Sequence, residues 1–220
     1  MPVREKLTRH TILQAAVAYA DQHGTDRLSM RVLASELHCG AMSLYNHVAN
    51  KDDMFDGMVD LIASEIDLPP AAVTDWKAAL RDTAISAQRT LTRHSWAIRF
   101  WSTQKLGPAK LQHMESILRV LREAGFSVAL ACRAYHAITM HIVGFTFQEL
   151  DFPIKGEAEI KEAAGNFMRD FADHDIPYFM EHVRHHLSDQ HEDDEFAFML
   201  DLILDGLERL KTSEQTSGCP

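Results

Sequence analysis

Apolar residues recur with a helical period along nearly the whole of this 220-residue chain, and strict alternation of apolar and polar residues is absent. The strong breakers collect at a few places, among them Pro69-Pro70, Gly107-Pro108 and Pro153. A chain patterned this way is restricted to an all-α fold, in which each helix buries one stripe against its neighbours. The 46% apolar and 25% charged residues are a globular balance and supply a sizeable core for one or two domains. No repeat or low-complexity tract interrupts the pattern except a tail at 211–220, which is expected to be disordered.

The first fifty residues carry the most specific local pattern. Thr8 can cap a helix whose Ile12, Leu13, Ala16, Val17 and Ala20 form one apolar stripe, closing near His23-Gly24. Ser29 caps a short second helix through Met30, Leu33, Ala34 and Leu37. After His38-Cys39-Gly40 a third helix spans Ala41 to His47, with Leu44 and Val48 turned inward. Asn50 caps a fourth that opens with Lys51-Asp52-Asp53, its acids near the positive end of the dipole, and runs to about Asp67. Helix, tight turn with glycine, short helix is the helix-turn-helix arrangement, and it places Ala41 to His47 where an outer face can enter a major groove. Geometry alone fits a plain helical hairpin equally well.

Charge is unevenly spread. The chain carries −10 overall, which excludes a polycationic nucleic-acid coat but not a local basic surface. Residues 1–51 hold six Lys/Arg and four Asp/Glu, residues 52–147 ten of each, and residues 148–220 six and eighteen. An anionic partner would thus meet the first segment and be repelled by the last, although a solvated acidic helix surface produces the same asymmetry. Cys39, Cys132 and Cys219 are far apart and odd in number, which argues against a disulfide framework and for a reducing compartment; a cytoplasmic protein is expected. No apolar stretch follows the first six residues as in a signal peptide, and no apolar run approaches the roughly 18 residues of a membrane helix, so no membrane association is expected.

The stretch Leu28-Ser29-Met30-Arg31-Val32-Leu33-Ala34-Ser35-Glu36-Leu37, then Ser43-Leu44-Tyr45-Asn46-His47-Val48 and Asn50-Lys51, resembles the N-terminal domain of tetracycline-repressor (TetR) family regulators. Glu123-Ala124-Gly125-Phe126-Ser127, with Phe196-Ala197-Phe198 and the run from Leu202 to Glu208, resembles the C-terminal domain of the same family more weakly. The resemblance implies a DNA-binding domain at 1–50 and a ligand-binding and dimerisation domain at 51–210. It also assigns roles. Ser29 and the amides it caps, with Met30 and Arg31 at the start of the second helix, would meet phosphate or guanine. Tyr45 and Lys51 would hold the backbone, His47 a phosphate, and Asn46 a base edge or water, with Ser43 on the same short helix. Ala41 and Met42 replace the more polar residues usual in the family, so contact with thymine methyls and DNA shape are expected to dominate readout. Plainer roles stay open: Tyr45 packing over Leu33, His47 bonding locally, Arg31 pairing with Glu36 or Asp53.

One short helix buries too little for specific affinity, so a two-fold dimer on a palindromic double-stranded operator is implied. The segment from Ser127 to about Leu150 is apolar on nearly every side, and the last helix repeats apolar residues at Phe196, Met199, Ile203, Leu207 and Leu210 with Gly206 among them. These two helices from each subunit are expected to form a four-helix interface, with ordinary intrachain core as the alternative. Trp96, Phe100, Trp101, His113, Met114, Ile117, Tyr135 and Thr139 are candidate walls of a ligand pocket, although for any one of them taken singly core is the better reading. By resemblance, Trp101 stands where the tetracycline repressor has its metal–drug histidine, which speaks against magnesium–tetracycline and for a small hydrophobic or aromatic inducer. Thirteen histidines include His182 and His186 at i, i+4, with His185 and His191 nearby, but neither an HExxH pattern nor a cysteine pair completes a metal site. A metal-dependent sensor or enzyme built on that cluster is the competing reading. No nucleophile elbow, phosphate loop or catalytic carboxylate pair supports an enzyme, and no cofactor is expected.

Overall fold

Thr8 opens helix α1 (Arg9–His23) by accepting the Thr11 amide while the Thr11 hydroxyl receives the Thr8 amide, a capping box that satisfies two otherwise orphaned donors. The computed structural model describes residues 7–151, 157–171, 174–187 and 194–217, and every regular element among them is helical. The stripe of α1 read from periodicity, Ile12 through Ala20, is buried. Ser29 caps α2 (Met30–Glu36), and α3 (Ala41–Tyr45) follows a turn whose left-handed residue is His38, at φ 48°, and not Gly40. Asn50 caps α4 (Lys51–Ala63) by accepting the Asp53 amide at 2.8 Å. Two boundaries are shorter than the periodicity predicts: α3 ends at Tyr45, before His47, and α4 at Ala63, before Asp67. Tight turns at each end satisfy the last carbonyls earlier, Val48 N–H bonding Leu44 O and the Ser64 hydroxyl bonding Leu61 O.

The larger part comprises α5 (Trp76–Arg93), a 3-10 turn at Ser95–Arg99, α6 (Pro108–Glu123), α7 (Val128–Asp151), α8 (Glu157–Asp170), α9 (Pro177–Leu187) and α10 (Glu195–Ser217). α7 packs on α5, α6 and α10; α8 and α9 pack on each other. One continuous core runs from Ile12 in α1 to Leu207 in α10, each fully buried aliphatic side chain contributing roughly 1.5–3 kcal/mol. α4 belongs to both halves, since it packs on α1 and on α6.

Three expectations change here. The tail expected from 211 is helical through Ser217, with Lys211 lying over Trp76 and Phe126 and the Thr212 and Thr216 hydroxyls bonding the preceding turn. α7 is not buried all round: Ala131, Ala134, Ile138, Ile142 and Thr146 face inward, while Val128, Met140 and Phe147 are exposed. Its length and apolar composition would suit a membrane span, contrary to the sequence reading, but that inner row packs against helices of its own chain. In α10, Phe196 and Leu207 belong to the intrachain core, and the outward apolar residues are Phe198, Met199, Leu202 and Leu210.

Candidate functional site

α3 is seated by Leu44 and by Val48 just beyond its end, both 0% exposed, so its other side must face out. Met42 is 77% and Tyr45 47% exposed; Asn46 and His47 are exposed and Ala41 and Ser43 half-buried. Ser29 is half-buried with its hydroxyl bound to the Val32 amide, and Arg31 and Lys51 are exposed nearby in sequence, Lys51 Nζ standing 5.5 Å from the Phe55 ring centre. The plain pairing read for Arg31 is not made: Asp53 is held by Arg9, and among the described residues no carboxylate lies within 4.0 Å of Arg31. Met30 is corrected. Its side chain is 7% exposed in the core, because it sits one turn before Leu33 and Ala34 on the inner stripe of α2.

Arg9, which periodicity alone did not single out, braces this surface. Its guanidinium grips both Asp53 oxygens at 2.7 and 2.9 Å and donates to the His47 carbonyl at 3.0 Å, tying α1, the end of α3 and the start of α4 together. Asp53 also accepts the Ala49 amide at 2.7 Å. The bond from Arg9, ahead of an opposing burial effect, holds the Asp53 carboxyl below its usual value, and Asp53 raises Arg9 in return.

Two polar junctions join this part to the rest. Asp60 of α4 accepts the Ala109 and Lys110 amides at 2.9 and 3.1 Å, so a carboxylate from one helix caps the other, while Asp56 accepts the Lys105 amide at 3.0 Å. Gly107 is required there, since a Cβ would stand 2.2 Å from the Asp60 carboxyl carbon. At the other end of α1, Asp21 accepts from Trp96 Nε1 at 2.7 Å and faces His94 Nδ1 at 2.9 Å, while His94 Nε2 faces Glu65 at 3.2 Å.

Trp101, His113, Tyr135 and Thr139 of the candidate pocket residues line one small, partly open cavity of about 30 Å³, together with Ala87, Leu106, Lys110, Ile142 and Val143. The other four are elsewhere. Trp96 is engaged with Asp21, Phe100 stacks on Phe55 at 4.6 Å, Ile117 is core and Met114 half-buried. Each is large and apolar, which is why composition could not separate wall from core. Lys110 was missed; the signal was its position one helical turn before His113. Burial lowers both groups, Lys110 against an opposing pull from Asp60 and Asp56, and His113 to about 4. A wider groove of about 740 Å³ between α1, α4 and the 105–109 segment, lined by Leu13, Leu61 and Leu106 as well as by Arg9, Asp56 and Asp60, is open to solvent.

His182 and His185 lie on α9; the side chain of His186, and all of His191, fall outside the described residues. Among the described residues no three His, Cys, Asp or Glu gather at metal-binding distance.

Residues 12–58 match the model of bacterial regulatory proteins of the tetR family, and residues 68–210 that of the tetracyclin repressor-like C-terminal domain. An HTH-type transcriptional regulator of Saccharopolyspora erythraea is 34% identical over 164 residues, spanning 74% of this chain and 70% of that one. The HTH-type transcriptional repressor DrrR1 of Streptomyces coeruleorubidus is 30% identical over 227 residues, 97% of this chain and 82% of its own. Among solved structures, the TetR family protein ActR of Streptomyces coelicolor in complex with (S)-DNPA superposes with a TM-score of 0.77 at 26% identity, covering 92% of this chain and 97% of that one.

Proposed function

From the premise that this chain belongs to the TetR family of transcriptional regulators, with a tetracycline-repressor-like C-terminal domain, we propose that it is a dimeric repressor that leaves a palindromic operator when a small hydrophobic or aromatic ligand enters its C-terminal part. The observation that carries the reading is the two-sided α3: fully buried Leu44 on one side, Met42 and Tyr45 exposed on the other. Arg31, Ser43, Asn46 and the methyl-bearing Ala41 and Met42 would read the groove; the Ser29 cap, Tyr45, His47 and Lys51 would hold phosphates. Of Met30, only the main chain remains for such a contact.

Dimerisation is supported by the outer faces of α7 and α10, where Met140 and Phe147, and Met199 and Leu202, are exposed though large and apolar. Two copies would set the α3 helices roughly 34–36 Å apart on successive major grooves. A ligand larger than about 30 Å³ must push the cavity walls apart, since drug-sized molecules need roughly 300–1,000 Å³. One wall is α6, whose first amides are held by Asp60 of α4, so the displacement reaches the braced surface through α4. The ActR complex with (S)-DNPA, a relative of the same fold with a bound molecule, supports a ligand-responsive body.

Selection from a random double-stranded library tests this. The full chain should enrich a palindrome with two half-sites about one helical turn apart and with A·T steps, and replacing their thymines by uracil, which lacks the methyl, should weaken binding about threefold. Enrichment of a single G·C-only half-site, or no salt-sensitive association with any duplex, refutes it.

A further inference from the structure

Lys110 and His113 stand one turn apart on α6 and line the same cavity. Lys110 is 9% exposed; of its three N–H donors one is used, on the Trp101 carbonyl at 2.6 Å, and the ammonium rests 5.1 Å from the centre of the Trp101 ring. Among the described residues no carboxylate forms an ion pair with it; Asp60 and Asp56 act on it only through space. His113 is 7% exposed and its Nδ1 is buried without a hydrogen-bond partner. Burying a cation without a counter-ion and a ring nitrogen without a partner is unfavourable at either position, and here both occur on one cavity wall. The facing wall, Trp101, Tyr135, Ile142 and Val143, is aromatic and aliphatic.

A largely apolar cavity lined by an ammonium without a counter-ion and by a ring nitrogen without a partner favours a ligand that satisfies both. Building on the ligand-responsive reading above, we propose that the effector is an aromatic acid, whose carboxylate or phenolate oxygen pairs with Lys110 Nζ and accepts from His113 Nδ1 while its ring system lies against Trp101 and Tyr135. The acid supplies the missing counter-ion, and a neutral isostere does not. Because the Lys110 amide is bonded to Asp60, the residue that receives the acid is also the one tied to α4.

Calorimetric titration of the full chain with two matched pairs tests the assignment: anthracene-2-carboxylate against its methyl ester, and 2-naphthol against its methyl ether, the pairs separating carboxylate from phenolate. The acid of at least one pair should bind about 10- to 100-fold tighter than its neutral partner, as charge-assisted bonds do. Lys110→Met should erase that preference and raise the thermal midpoint of the ligand-free protein, because an unpaired buried cation is gone. Equal affinities within both pairs, no binding of any of the four at millimolar concentration, a preference retained by Lys110→Met, or a midpoint that falls each overturns the inference. Operator release by ester and acid alike removes the acid assignment and leaves the regulator standing, whereas absence of DNA binding by the ligand-free chain removes the regulatory reading itself.

Discussion

His113 makes the stability of this protein depend on pH in a window where most carboxylates do not. The imidazole is 7% exposed, and burial lowers it from 6.5 to about 4. A folded-state value below the unfolded one means that the unfolded chain takes up the proton first as pH falls. Stability is therefore whole above about 6.5, declines between there and about 4, and levels off below. At about 1.4 kcal/mol per pKa unit, the gap from 6.5 to about 4 is worth about 3 kcal/mol. Asp53 and Asp205, held low by Arg9 and Lys77, lose their contribution at lower pH, so they leave most of the window untouched. His113→Leu removes the imidazole and keeps the main-chain oxygen that accepts from the Ser116 hydroxyl. Urea unfolding of both proteins at one fixed protein concentration, at steps from pH 7 to pH 4, isolates the effect because shared titrations cancel. The stability gap between variant and parent should move by about 3 kcal/mol in favour of the variant across that range. Curves that fall in parallel would mean that the imidazole is hydrated or paired when folded, and the reasoning from burial fails.

Three further outcomes are expected. Tyr45→Phe with Lys51→Ala should weaken binding alike on all duplexes and lower the slope of log affinity against log salt by about 1, as loss of one cationic phosphate contact does; a change confined to one base position would show these residues reading sequence instead. Gly107→Ala, whose Cβ would meet Asp60 at 2.2 Å, should destabilise by about 1–3 kcal/mol through loss of the cap on α6 and local overpacking. In an Asp60→Ala background the same change should cost less, because the carboxyl contacts at 2.2 and 2.3 Å are gone while the Cβ contact at 2.7 Å remains, and a double-mutant cycle that is additive refutes the coupling. Leu202→Glu, at a position 57% exposed on α10, should shift sedimentation from dimer to monomer and reduce operator affinity; an unaltered dimer would place the interface elsewhere.

Much of the head was legible along the chain. The stripe of α1, the Thr8, Ser29 and Asn50 caps and the inward Leu44 and Val48 depend on neighbours three or four residues away, and local spacing reports such neighbours directly. The Met30 side chain lies on the inner stripe of α2, as the helical spacing with Leu33 and Ala34 implies, which leaves its main chain for any contact with DNA. In the body the same side-chain types form both core and cavity wall, so Trp96 and Phe100 could not be told from Trp101 and Tyr135 until their partners were known: Asp21 for Trp96, Phe55 for Phe100.

What the sequence by itself determined was the helical class, the helix-turn-helix, the acidic body and the family, because periodicity, caps and motif spacing are local properties of the chain. Tertiary structure alone decided that Asp60 would cap α6, that Arg9 would lock Asp53 and the His47 carbonyl, and that Lys110 and His113 would line one cavity. The Asp60 and Arg9 contacts join residues about forty to fifty positions apart, and the cavity walls are drawn from four separate stretches of chain. Burial and charge at such places arise only when distant helices close on one another, which no local pattern encodes.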